Sequence, residues 1–195
     1  MNTNYFKNSS DVIRYLVDKE DIIRKMVVGI NICHLLGGKI LIGGNGGSSS
    51  DAEHFAGELT CTFRDRNRPG FAAISLTNNS SAITAWANDF SFDSYFSRQV
   101  EALGRPGDIL FLLSTGGGDT MSGASMNLVL AAETALKNKM RVYSLIGKTG
   151  GELLKISHEY VLVESFDTSH IQEAHIAIIH AICLLLEDLP TVLKA

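Results

Sequence analysis

The chain has 195 residues, 45% of them hydrophobic and 19% charged, with a formal net charge of −4. That length holds one domain with a real core, and that balance excludes a disordered chain. The acidic surplus speaks against nucleic acid as the main partner. The three widely spaced cysteines, Cys33, Cys61 and Cys183, form no CxxC pair and fit reduced thiols in a cytoplasmic protein rather than a disulfide framework.

Residues 1–21 hold no uninterrupted apolar run of signal-peptide type. Apolar residues at Val12, Ile13, Leu16, Ile22, Ile23, Met26 and Val27 predict one long helix over 9–36, capped by Ser9 or Ser10 and ended by Gly37-Gly38. Five short runs, apolar throughout, follow at 39–44, 71–76, 108–114, 141–147 and 159–164, the pattern of strands buried on both faces. Between and after them the spacing predicts helices near 50–62, 80–103 with a break at Asn88, 123–138, 150–156 and 170–188. This alternation predicts a parallel sheet with helices on both faces, with ligands at the carboxyl ends of the strands. The run "IAIIHAICLLL", 176–186, is too short to span a bilayer and reads as a buried helix, so no membrane partner is expected. "RDRNR", 64–68, is the one basic cluster and reads as a solvated turn.

Two loops carry the chemistry. "GGNGGSSSDAEHF", 43–55, brings backbone close to a ligand and opens a helix whose N–H groups suit a phosphate, with Ser50 or Asp51 as cap. It lacks the lysine of a Walker loop. "STGGGDTMSGAS", 114–125, is a second strand-to-helix loop dense in hydroxyls and backbone N–H groups. Asp119 in it would repel a phosphate and is expected to stand away from it.

His54 and Glu58, four residues apart, share one face of the first loop's helix. Gln172 and His180 are spaced by a little over two turns and project in a similar direction. Alone, a histidine in an apolar run reads as a core residue. Two helices that each offer a same-face pair make a four-ligand site of zinc type worth weighing. Glu173 and His175 are spare candidates, and His158 and His170 read as surface residues.

The ordered motifs "GNGGS", "DAxHFAxEL", "RNRPG", "ND", the Ser/Thr loop, "GKxGG" and "IQExHIxIIH" run across nearly the whole chain. In them the sequence resembles the phosphoheptose isomerases of the sugar isomerase (SIS) superfamily. The resemblance implies a single SIS domain over 1–195, a three-layer α/β sandwich around a five-stranded parallel sheet. Residues 1–37 would form a helical segment packed on the core or a neighbouring subunit. It also implies a cytoplasmic homotetramer with sites at subunit interfaces and one zinc ion per subunit, held by residues matching His54, Glu58, Gln172 and His180. Substrate contacts map onto Asn45, Gly46, Gly47, Ser48, Glu58, Asn88, Asp89 and Gln172, with Ser114, Thr115, Ser122 and Ser125 as the phosphate loop. The implied reaction converts D-sedoheptulose 7-phosphate into D-glycero-D-manno-heptose 7-phosphate through an enediol(ate). The product would feed lipopolysaccharide core, capsule, S-layer glycan or heptose-containing antibiotics. Moving a carbonyl from C2 to C1 needs a base and a partner acid, and Glu58 and His180 suit those roles.

The sequence departs from the family pattern at three places. Six residues, 116–121, are inserted in the phosphate loop as a flexible segment, either a lid or a change in the sugar accepted. His170 and Thr62 stand where arginines are common. Two other readings follow from the resemblance: a non-catalytic tetramer that binds the replication initiator DnaA, and a sensor of a sugar phosphate without turnover. The presence of both Glu58 and His180 favours the enzyme.

Overall fold

The computed structural model describes residues 4–189. Five strands, β1 (Ile40–Gly44), β2 (Ala73–Ser75), β3 (Ile109–Ser114), β4 (Arg141–Gly147) and β5 (Glu159–Val163), form one sheet in the order β2-β1-β3-β4-β5. Every pairing is parallel, as the apolar runs predict. Alternate residues of each strand enter opposite cores because side chains alternate across a pleated strand. Ile40, Ile42, Ile109, Phe111 and Leu113 face one helical layer, whereas Leu41, Leu110 and Leu112 face the other.

The first layer holds α1 (Tyr5–Tyr15), α2 (Glu20–Leu35), α3 (Gly47–Thr60) and α8 (Thr168–Glu187). The second holds α4 (Ser80–Asp89), α5 (Tyr95–Leu103), α6 (Met126–Lys137) and α7 (Gly151–Ile156). The result is the expected three-layer sandwich. Because β2 and β3 flank β1 on opposite sides, the chain reverses its direction of winding between β1 and β3. The crevice outside the carboxyl ends of those two strands is where such sheets bind ligands.

Three expectations about elements are corrected. The helix expected over 9–36 is two helices separated by a 3₁₀ turn at Leu16–Lys19. Ser9 is no cap: it lies inside α1 and donates to Glu173 Oε2 (2.5 Å), while Tyr5 donates to Glu173 Oε1 (2.5 Å). These bonds fasten α1 to α8, so the N-terminal segment packs on its own core. Finally, the 176–186 run is part of a 20-residue helix that is long and apolar enough by composition to cross a membrane. Half-buried against α1, α2, α3 and the sheet, α8 serves as a core helix.

Candidate active site

The first loop delivers what its glycines promise. Strand β1 ends at Gly44, and α3 starts at Gly47, with Gly46 as its N-cap at φ 57°. The helix therefore begins earlier than expected, and neither Ser50 nor Asp51 caps it. Gly47 lies against the end of the Gln172 side chain: a Cβ there would be 2.6 Å from Gln172 Nε2 and would push that amide aside. The starts of α3 and α8 thus meet, and the two helices continue side by side.

Two turns further along, this seam carries the expected chemistry. His54 Nε2 lies 3.2 Å from Glu58 Oε1 and 3.3 Å from His180 Nε2. The His180 ring stacks on Phe63 at a centroid distance of 5.6 Å. Ligands bonded to a tetrahedral zinc at about 2.0–2.1 Å stand about 3.3 Å from one another, so both separations suit a shared cation. Both contacts run through His54, and the described residues contain no group of three or more His, Cys, Asp or Glu side chains arranged to hold a metal ion. Gln172 stands apart from this cluster, at Gly47.

Nearby groups show what is inert. Burial pushes the Cys183 thiol up to about 12, with the Glu58 charge adding to the effect. Burial holds His175, with both ring nitrogens inside the core and without a well-formed hydrogen bond, down to about 4. His175 is a neutral core residue and not a spare ligand. Glu173 is occupied by Tyr5 and Ser9. His170 is buried, not on the surface as expected. It packs on the Tyr5 ring, with Nδ1 3.3 Å from Glu173 Oε2. His158 is exposed, and its Nδ1 accepts the Val142 N–H at 2.9 Å.

Sequence reasoning missed the clamp that sets this seam. "RDRNR" is a turn with Arg64, Arg66 and Asn67 exposed, as expected, but Arg68 turns inward. The Glu187 carboxylate at the end of α8 accepts the Arg64 and Asp65 N–H groups (each 3.1 Å) and Arg68 Nε (3.1 Å). Arg68 also donates to the carbonyls of Glu58 and Leu59. Burial raises the Glu187 carboxyl, but those amides and the guanidinium outweigh it and hold the group below its ordinary range. Asp51 was missed as well. Its Oδ2 is buried without a hydrogen-bond partner, and burial raises its carboxyl against the opposing pull of His54.

Among the expected substrate contacts, Asn45 exchanges two hydrogen bonds with Asn127 (2.9 and 3.0 Å), tying the β1 loop to the start of α6. Asn127 closes the S-G-x-S-x-N run, the signal that could have found it. Ser48 is buried as the second residue of the site helix. Asn88 and Asp89 lie on the last turn of α4, where Asn88 Nδ2 donates to Asp89 Oδ1 (2.7 Å). Among the described residues no hydrogen bond links them to the β1 loop. Thr62 donates to the Asp65 carbonyl (3.1 Å) within the clamp loop.

Of the inserted residues 116–121, Gly117 and Gly118 are buried and anchored to the fold, whereas Asp119, Thr120 and Met121 are exposed. The carbonyls of Gly117 and Gly118 accept the N–H groups of Leu153 (2.8 Å) and Glu152 (3.1 Å), capping α7. Ser114 Oγ accepts the Gly117 N–H (2.9 Å). Asp119, an exposed member of this loop, is tied to its own turn. Its carboxylate accepts the Met121 N–H (2.9 Å) and the hydroxyl of Ser122 (2.7 Å), itself an expected phosphate contact. Those two bonds hold the Asp119 carboxyl below its usual range.

The SIS domain family matches residues 4–147, the span that contains both the β1 loop and the 114–125 loop. The chain is 42% identical over 177 residues to phosphoheptose isomerase 1 of Campylobacter jejuni, covering 89% of this chain and 91% of the relative. It is 44% identical over 152 residues to a probable phosphoheptose isomerase of Thermoplasma acidophilum, covering 78% and 80%. The solved phosphoheptose isomerase of Francisella tularensis superposes with a TM-score of 0.88 at 32% identity, over 95% of this chain and 96% of that one. The chain belongs to the phosphoheptose isomerase family and is a phosphosugar isomerase.

Proposed function

We propose that this enzyme interconverts D-sedoheptulose 7-phosphate and D-glycero-D-manno-heptose 7-phosphate. The observation that carries the reading is the approach of His54 to Glu58 at 3.2 Å and to His180 at 3.3 Å across the α3–α8 seam, beside two strand-to-helix loops suited to a sugar phosphate. The names of the similar proteins support the same substrate.

Glu58, the carboxylate of the cluster, takes the proton from C1 of the ketose as the C1–C2 double bond forms. His180 supplies a proton to the C2 oxygen, giving an enediol. Return of a proton to C2 and loss of one from the C1 hydroxyl complete the aldose. Phe63 holds the His180 ring by stacking on it. Asn45, Gly46, Gly47, Ser48 and Gln172 orient the sugar chain. The distal phosphate, held by the loop at 114–125, contributes orientation far from the reacting carbons. The donors fit a zinc-class divalent ion, which His54, Glu58 and His180 would hold, with Gln172 as the family's fourth donor. When bound, it would polarise the substrate's carbonyl and hydroxyl oxygens.

Exposed apolar side chains at Phe6, Val17, Val28, Ile32 and Leu36 support burial of α1 and α2 against further copies, as in a homotetramer. The remote Asn88 and Asp89 support a site completed between copies. A cytoplasmic place in nucleotide-activated heptose synthesis follows from the same substrate.

The test is turnover of sedoheptulose 7-phosphate by zinc-loaded protein beside Glu58→Gln and His180→Gln. We expect each variant to lose about 10²–10⁴-fold in kcat, the usual worth of a positioned acid or base. Wild-type protein that binds zinc but leaves the heptose unchanged would overturn the assignment.

A further inference from the structure

We infer that Asn127 is a positioning residue of the isomerase: it fixes the side chain of Asn45 and holds the β1 loop in register with the phosphate loop. The inference rests on the phosphosugar reading above, which sets Asn45 at the sugar, and adds a residue that acts through Asn45.

The pair stands at the switch point of the sheet. Asn45 is the first residue after β1, and Asn127 is the second residue of α6, the helix reached from β3. Strands β1 and β3 are neighbours, yet α3 and α6 cover opposite faces of the sheet. A contact between Asn45 and Asn127 therefore spans the crevice in which such sheets take ligands. Among the described residues, no other side-chain hydrogen bond joins the β1 loop to the 114–125 loop or to the start of α6.

The two amides meet in one orientation. Asn127 Oδ1 accepts the Leu128 N–H at 2.9 Å, a role that an amide nitrogen cannot take. That oxygen also accepts from Asn45 Nδ2 (2.9 Å), so Asn127 Nδ2 is left to donate to Asn45 Oδ1 (3.0 Å). Asn127 is 4% exposed, whereas Asn45 is half-buried and keeps the open side. An Asn side chain has two donor hydrogens and two acceptor lone pairs. With one of each spent on Asn127, Asn45 retains one N–H and one lone pair at fixed positions. A sugar hydroxyl, which both donates and accepts, matches that remainder. Without Asn127 the terminal torsion of Asn45 is free, because that torsion has broad wells, and donor and acceptor can exchange places. The two loops also lose their side-chain tie. A sugar phosphate held by both would then shift its reacting carbons against Glu58 and His180, and a misplacement of about 1 Å can cost about 10²-fold in rate.

The experiment is a double-mutant cycle on kcat/KM for sedoheptulose 7-phosphate. It uses zinc-loaded wild type, Asn45→Ala, Asn127→Ala and the double variant, each also unfolded in urea. In Asn127→Ala the Leu128 N–H keeps the Ser125 carbonyl (3.1 Å), so α6 can start as before. Asn127→Ser, too short to bridge to Asn45, repeats the test should the alanine variant fold poorly. Each single substitution should lower kcat/KM by about 10–100-fold. The double variant should lose no more than about twofold beyond Asn45→Ala, because a residue that acts through Asn45 then has nothing left to position. A purely structural residue would instead multiply the loss. Multiplied losses, wild-type kcat/KM in Asn127→Ala, or failure of both Asn127 variants to fold overturns the proposal and leaves the heptose reading standing. If wild type does not turn the heptose over, that reading falls, and the same cycle on the Kd of sedoheptulose 7-phosphate by calorimetry decides on Asn127. Coupled losses of affinity support it even then; multiplied losses, or no binding by wild type, sink it.

Discussion

The two ends of the candidate site are built by opposite means. At the α3–α8 seam, side chains project from two rigid helices and wait for a partner: His54, Glu58 and His180 face one another with their chemistry unspent. At the 114–125 loop the polar groups are largely spent on the loop itself: Ser114 on Gly117, Ser122 on Asp119, and the Gly117 and Gly118 carbonyls on α7. The seam gains precision from the helices behind it, whereas the loop gains it from its own hydrogen bonds. Damage to the helix clamp should therefore impair catalysis as well as stability. Damage to the loop should act first on substrate affinity.

The largest effect expected beyond the reacting groups is at Arg68–Glu187. The two side chains are 4% and 5% exposed, and their ion pair joins the α3 exit to the end of α8. Removing one member strands the other charge in a dry place, at a cost of about 3–5 kcal/mol. Arg68→Ala should show this loss in chemical denaturation. Because Arg68 also holds the Glu58 carbonyl, the protein that remains folded should turn over more slowly. Full stability in Arg68→Ala would mean the seam does not depend on its clamp.

A smaller, pH-dependent effect sharpens the contrast from inside α8. His175 is fully buried and its folded pKa is depressed from 6.5 to about 4. The unfolded chain binds the proton more readily, so this contribution is complete above about pH 6.5 and is lost as pH falls from there towards 4. The span corresponds to about 3 kcal/mol. Urea denaturation at pH 7 and pH 4.5 should show the loss in wild type and a reduced loss in His175→Leu. An equal loss in both would place the acid sensitivity elsewhere.

Much of the seam was legible in the sequence because helices convert spacing into direction. A four-residue interval puts His54 and Glu58 on one face wherever α3 is packed. The strands were legible for a similar reason, since short apolar runs between helical stretches suit a covered sheet, although the edge strand β5 leaves Tyr160 exposed. The loops were not, because their structure depends on which carbonyl meets which amide across distant segments. Nothing local in "GGGDTM" says that its carbonyls cap α7, and nothing local in "RDRNR" says that Glu187, some 120 residues on, will accept its amides. The break at Leu16–Lys19 was hidden for another reason: Asp18, Lys19 and Glu20 are compatible with continued helix, so nothing local marks the 3₁₀ turn. His170 read as surface because its cover, the Tyr5 ring, lies at the opposite end of the chain.

The smallest expected effect tests the loop half of the comparison. Gly117 has φ 74°, and a Cβ built on it would lie 1.9 Å from the Gly150 carbonyl oxygen, a backbone atom that cannot rotate away. Gly117→Ala therefore combines left-handed strain with a clash, and each such strain costs about 1–3 kcal/mol if the surroundings hold. The loop can escape by releasing its grip on α7, since only two backbone bonds, to Glu152 and Leu153, hold it there. The loss of global stability should then stay at or below that range while KM for the phosphosugar shifts more than kcat. The measurement is a thermal melt paired with steady-state kinetics. A fall in kcat as steep as that in Arg68→Ala, with KM unchanged, would show that the loop and the seam act as one unit and that the division drawn between them is wrong.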